Sequence, residues 1–211
     1  MIESCCTTFE EAWAAQARGA GRIELCTDLS VGGVTPPRDL IQEVVDALTI
    51  PVNVLIRPKK AERSDAFSWI DFVYSEDEIR QMIDDIEYCK SVGAAGIVVG
   101  ALTPTGGIDV PAMRRFVAAA QPLPVTFHRA FDVCAEDPFE ALVKIIDAGC
   151  TRLLTSGMAE TAWDGRDMIA RLVQRAGDRL IILAGRGVNP GNIKSLATVT
   201  GAREFHGTAL P

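Results

Sequence analysis

The chain carries only two histidines, and each closes a strand-like run. The stretch Pro124-Val125-Thr126-Phe127-His128-Arg129-Ala130-Phe131-Asp132 passes from β-branched and aromatic residues directly into imidazole, guanidinium and carboxylate. Thr126 and His128 share one face of that strand, and Arg129 and Asp132 follow in its loop. A histidine in this place exchanges protons or orients a ligand, and an arginine beside it clamps an anion. The competing reading is a hydrogen-bonded histidine in a purely structural polar cluster.

A second pattern occurs three times. Glu3 and Cys5, Glu24 and Cys26, and Glu204 and His206 each stand two residues apart at the end of a strand-like run. If the three strands are neighbours, two thiols and an imidazole meet at one level, with three carboxylates a layer below. Cys5, Cys26 and His206 would then form a site for a soft metal, because thiolates select Cu(I) or Zn. The alternative is that the two cysteines are small core residues. Buried glutamates must be paired or protonated, and Arg57, ending the third strand, is the expected partner. An enzymatic arrangement draws on the same groups: Arg57, His128 and Arg129 bind and exchange protons, with Glu3, Glu24 or Asp132 as acid/base partner. Gly185 and Gly187 after the seventh strand, and Gly207 and Thr208 after the eighth, let backbone approach an anion such as a phosphate.

These groups need elements to hold them. Strand-like runs fall at 2–5, 22–26, 52–57, 96–100, 124–128, 152–155, 180–184 and 203–206. Helical periodicity fills the gaps near 8–18, 37–48, 75–92, 109–120, 137–148, 161–176 and 189–199. Ser75 with Glu78, Asp109 before Pro111, and Asp137-Pro138 are start signals. Gly19, Gly93, Gly149, Gly177 and Gly201 are stop signals. Strict alternation predicts a parallel sheet with helices outside, and eight strands predict closure into a (β/α)8 TIM barrel that lacks its last helix. The whole chain, 1–211, reads as one domain. The segment 58–74, with Lys59, Lys60, Arg63, Phe67, Trp69, Phe72 and Tyr74, is too long for a tight connection and reads as a lid, a subunit contact or a surface excursion.

Composition narrows the partners. A net charge of −7 argues against nucleic acid and anionic membranes but leaves room for a small anion in a local basic pocket. No apolar run approaches the roughly 18 residues of a membrane span, and no basic-then-apolar leader opens the chain, so a soluble cytoplasmic protein is expected. In that compartment the six cysteines are reduced core thiols or metal ligands, not a disulfide framework.

Arg22-Ile23-Glu24-Leu25-Cys26, Gly32-Gly33-Val34-Thr35-Pro36, Ile56-Arg57-Pro58, the 125–132 stretch, Leu154-Thr155-Ser156-Gly157 and Glu204-Phe205-His206 together resemble the copper homeostasis protein CutC family, in order and along essentially the whole chain. The resemblance implies a cytoplasmic TIM barrel, commonly a homodimer, assigned to copper handling, with Cu(I) bound by cysteines that fall on Cys5 and Cys26. The chain departs from the family pattern at Gly185-Arg186-Gly187, where three glycines are usual, at Thr208-Ala209-Leu210, and in the longer 58–74 loop. Two functions therefore stand as expectations: Cu(I) binding for copper tolerance or trafficking, and a barrel lyase, isomerase or hydrolase acting on a small anionic, phosphorylated or otherwise charged, substrate.

Overall fold

A computed structural model describes residues 1–58 and 68–208. Eight parallel strands close on themselves in chain order: β1 (Ile2–Cys6), β2 (Arg22–Leu25), β3 (Val52–Leu55), β4 (Gly96–Val99), β5 (Val125–Phe127), β6 (Arg152–Thr155), β7 (Ile181–Gly185) and β8 (Glu204–Gly207). Around them lie α1 (Phe9–Ala17), α2 (Arg38–Ala47), α3 (Glu76–Ser91), α4 (Val110–Ala120), α5 (Pro138–Asp147), α6 (Arg166–Ala176) and α7 (Ile193–Thr200). This is the expected (β/α)8 barrel without a helix after β8 among the described residues. The ring closes where β8 pairs with β1, Ile2 opposite Phe205, Glu3 opposite His206 and Ser4 opposite Gly207.

The local signals act as the residues dictate. Ser75 accepts the Glu78 N–H while the Glu78 carboxylate accepts the Ser75 N–H, and the Asp109 and Asp137 side chains cap the first turns of α4 and α5. At the other ends, Gly19, Gly93 and Gly149 adopt positive φ, and the next N–H returns to a carbonyl five residues back: Ala20 to Ala15, Ala94 to Cys89, Cys150 to Ile145. One residue later the chain is already hydrogen-bonded to the neighbouring strand, Gly21 to Ile2, Ala95 to Val52 and Thr151 to Val125. The repeated glycine turn is what converts each helix end into a strand start.

Two helices begin later than their periodicity suggests. Thr161 and Asp164 hydrogen-bond each other in a turn ahead of α6, and Asn189 and Asn192 do the same ahead of α7. Both helices then bury an apolar stripe, Ile169 and Leu172 from α6 and Leu196 from α7. Each such side chain is worth about 1.5–3 kcal/mol relative to exposure. The expected lid falls partly outside the described residues: Lys59, Lys60, Arg63 and Phe67 lie in the undescribed part. Its described remainder is a 3-10 turn, Trp69–Phe72, which buries Phe72 and leaves Trp69 and Ile70 exposed.

Gly149→Ala tests the turn. Gly149 has φ +95°, and an added Cβ would meet Val117 at 3.1 Å. The left-handed backbone alone costs an L-residue roughly 1–2 kcal/mol. Gly149→Ala is expected to lower the unfolding free energy in urea by about that amount or more, and by more than Gly19→Ala, where nothing lies within 4 Å of the new Cβ.

Candidate functional site

The inside of the barrel is polar at its floor. Glu3 is fully buried, and its carboxylate accepts hydrogen bonds from Arg22 Nε, from Asn53 Nδ2 at 3.4 Å, and faces His206 Nδ1 at 2.8 Å. Arg22 Nη2 also reaches Glu204 at 2.7 Å, and Arg152 Nε reaches the same Glu204 oxygen at 2.9 Å. Two expectations are corrected here. The guanidinium that neutralises the glutamates is Arg22, helped by Arg152, and not Arg57. Arg57 lies past the end of β3, at the mouth, where Nη1 donates to the Val31 and Gly33 carbonyls and the guanidinium rests over Phe72. Arg22 shares a strand face with Glu24 at a spacing of two, the periodic signal that marks it.

The layering is corrected as well. Cys5 is in register with Glu24, and Glu3 with His206. Closing a barrel requires each strand to slip against the next, so residues counted equally from strand ends do not share a level. The imidazole therefore meets the Glu3 and Glu24 carboxylates as well as the Cys5 thiol. Cys26 lies just beyond β2, and its Sγ is 3.5 Å from Cys5 Sγ.

Burial and charge set the protonation of this floor. Burial pushes the Glu24 carboxyl up to about 7, with His206 opposing and the Glu3 charge adding to it. Burial also disfavours a charged His206, but Glu24, Cys5 and Glu3 outweigh it and hold the imidazolium well above its ordinary range. Glu3, penalised by burial, is nonetheless kept ionised by His206 and Arg22. The Cys5 thiol is pushed well up by its hydrogen bond to Cys26 and by burial.

Above the floor opens a cavity of about 390 Å³. Cys5, Glu24, Cys26 and His206 form one wall; Arg57, Phe72, His128 and Arg129 form another; Arg186, Gly187, Gly207 and Thr208 complete the rim. Of the glycines expected at the rim, Gly185 does not line the cavity but lies against His206 beneath it. Asp132 also stands behind the wall.

His128 is built for a single role. Its Nδ1 accepts the Ala130 N–H at 3.2 Å, which places the proton on Nε2. Burial, then Arg57, drives its pKa down to about 3, so the ring is neutral at physiological pH. Its Nε2 is buried and makes no hydrogen bond among the described residues. Gly100 seats the ring, because a Cβ there would fall 2.6 Å from Nδ1. The arrangement is a neutral hydrogen-bond donor, not a proton exchanger near pH 7.

Donor atoms of Cys5, Glu24 and His206 lie within 4.8 Å of one another, close enough to hold a metal ion. With metal–sulfur bonds of about 2.3 Å, sulfurs separated as Cys5 and Cys26 are would subtend roughly 100° at an ion, the angle of a three- or four-coordinate centre. A disulfide fits poorly: Cys26 lies two residues, about 6.6 Å, beyond the residue paired with Cys5. The set thus suits an ion bound with proton release from the thiols.

Two outcomes follow from the floor. Glu3→Gln removes the carboxylate that buried Arg22 and His206 share, leaving Arg22 only Glu204 and His206 only Glu24, and a loss of up to about 3–5 kcal/mol in denaturant unfolding is expected. Glu24 and His206 both hold protons more tightly folded than unfolded, so stability falls as pH rises. The Glu24 part is lost from its ordinary 4.5 up to about 7, and the His206 part from 6.5 upward through its raised folded value. Melting temperature is expected to decline from pH 5 to 9, with Glu24→Gln flattening the lower window and His206→Gln the upper.

The sequence of this chain matches the CutC family model over residues 1–210. It is 45% identical over 205 residues to a CutC family protein of Histophilus somni, covering 97% of this chain and 80% of that one. It is 46% identical over 211 residues to a CutC family protein of Parabacteroides distasonis, covering 99% and 82%. Among solved structures, a CutC protein of Streptococcus agalactiae named for copper homeostasis superposes with a TM-score of 0.91 at 31% identity, covering 100% of this chain and 99% of that one. An aldolase designated QR15 superposes with a TM-score of 0.71 at 11% identity, covering 99% and 90%, a likeness of fold alone. With the family pattern present from the first strand to the last, this chain belongs to the CutC family.

Proposed function

We propose that this barrel is an enzyme that moves a proton on a small anionic carbonyl substrate, as an isomerase or lyase does. The observation that carries the reading is one cavity in which three titratable groups are pushed to different protonation states: Glu24 near 7, His206 charged, His128 neutral. Pairs of groups driven apart in this way are the hallmark of divided acid and base roles.

Ionised Glu24 takes a proton from the carbon beside the carbonyl. The electron pair moves onto the carbonyl oxygen, where the neutral His128 Nε2–H donates a hydrogen bond to the growing charge. The His206 imidazolium returns a proton to the product. Arg57, Arg129 and Arg186 line the same cavity and balance a carboxylate or phosphate. Fewer groups would serve to hold one ion.

The test is deuterium wash-in by proton NMR in D2O, with a panel of 2-oxo acids and sugar phosphates. Wild type is expected to exchange the C–H beside the carbonyl, with a rate that rises through about pH 7 as Glu24 ionises. Glu24→Gln should lose roughly 10²–10⁴-fold, the usual weight of a general base. Absence of exchange and of thermal stabilisation with every anion in the panel would sink the reading.

A second reading has its own observation, the Cys5, Glu24 and His206 donor cluster beside Cys26. Here Cu(I) is cargo, held for copper tolerance or trafficking. Titration of Cu(I) into reduced protein separates the two, since Cys5→Ser with Cys26→Ser should abolish tight binding; unchanged affinity removes this site from copper handling.

A further inference from the structure

Asp132 begins as a plausible acid/base group, and its surroundings exclude that. The side chain is 4% exposed. Its two oxygens accept from Arg129 Nε at 2.9 Å, Ser156 N–H at 3.1 Å, Met158 N–H at 3.1 Å and Thr155 Oγ1, and Ser156 Oγ stands 3.0 Å away with its one proton shared with the Ala159 carbonyl at 2.7 Å. A carboxylate offers about four acceptor sites, so these donors saturate it and leave no lone pair for a substrate proton.

What the network does is mechanical. All donors except Arg129 come from the end of β6 and its loop, where Met158 is held at φ +60°, a conformation a non-glycine residue adopts only under constraint. Thr155 and Ser156 are fully buried. The carboxylate is thus anchored to one strand end, and it grips the arginine that follows the neighbouring strand end. A guanidinium is planar, and a bond to Nε fixes the orientation of that plane. Arg129 lines the cavity with this orientation.

We propose that Asp132 is a positioning residue that aims Arg129 into the cavity, making Arg129 the residue that selects a substrate's oxyanion. The inference rests on the reading that the cavity takes an anion, and it adds which residue recognises that anion and what holds it. Lysine at position 129 would keep the charge but lose both the Nε bond and the plane, so charge alone would not preserve recognition.

The experiment measures dissociation constants for inorganic phosphate by calorimetry, with melting temperatures recorded in parallel. Arg129→Gln and Asp132→Asn are each expected to weaken binding about tenfold, and the double variant to bind no more weakly than Arg129→Gln alone, because the two act as one unit. A packing defect would lower the melting temperature without this coupling. Multiplicative losses, or an Asp132→Asn protein that binds phosphate as wild type does, would overturn the proposal. If Asp132→Asn fails to fold, Arg129→Lys decides: about tenfold weaker binding supports the pairing, and wild-type affinity refutes it. Wild-type protein that binds no phosphate removes the anion reading and this inference together, whereas binding without coupling removes only the inference.

Discussion

The Glu3 carboxylate is the interaction the molecule depends on. It stands where the last strand returns to the first, and it holds Arg22 from β2 and His206 from β8 at once. A bare carboxylate in that place would be several kcal/mol too costly to keep ionised. Its partners make it affordable, and in doing so they tie three strands across the closure of the ring. Glu204 extends the same network through Arg22 to Arg152 on β6.

The same charges shape the chemistry above them. Burial disfavours a negative charge at Glu24, and the ionised Glu3 beside it adds to that penalty against the opposing pull of His206. Glu24 therefore titrates near neutrality while His206 keeps its proton. On the far wall the sign is reversed: His128, buried and close to Arg57, is held neutral. One cavity thus holds one histidine kept charged by the groups around it and another kept neutral, first by burial and then by Arg57.

Membership of the CutC family and the donor cluster at Cys5 agree with a metal-binding role, yet the cavity contains more than an ion requires. His128 with its single available donor, the cavity arginines and the saturated Asp132 stand outside the Cys5, Glu24 and His206 donor cluster. Under the proposed reading, a small anion oriented over Glu24 would account for them together. The fold likeness to aldolases adds nothing to this argument, since barrels of this shape host many chemistries.

Much of this was legible in the residues alone. The alternation of periods, the glycine stops and the capping pairs specify eight strands and the seven helices between them, because each is a local preference of a few consecutive residues. The grouping of Arg57 with His128, and of Cys5 with Cys26, also followed from strand ends that converge on one mouth. Arg22 stands two residues before Glu24 on one strand face, yet the expectation falls on Arg57, because distance along the barrel axis is invisible in sequence. The slip between neighbouring strands, a property of ring closure, decided that His206 sits among carboxylates and that Cys5 lies level with Glu24. Protonation states were likewise settled only by tertiary structure, since they depend on burial and on charges brought from strands as far as 203 positions apart in the chain.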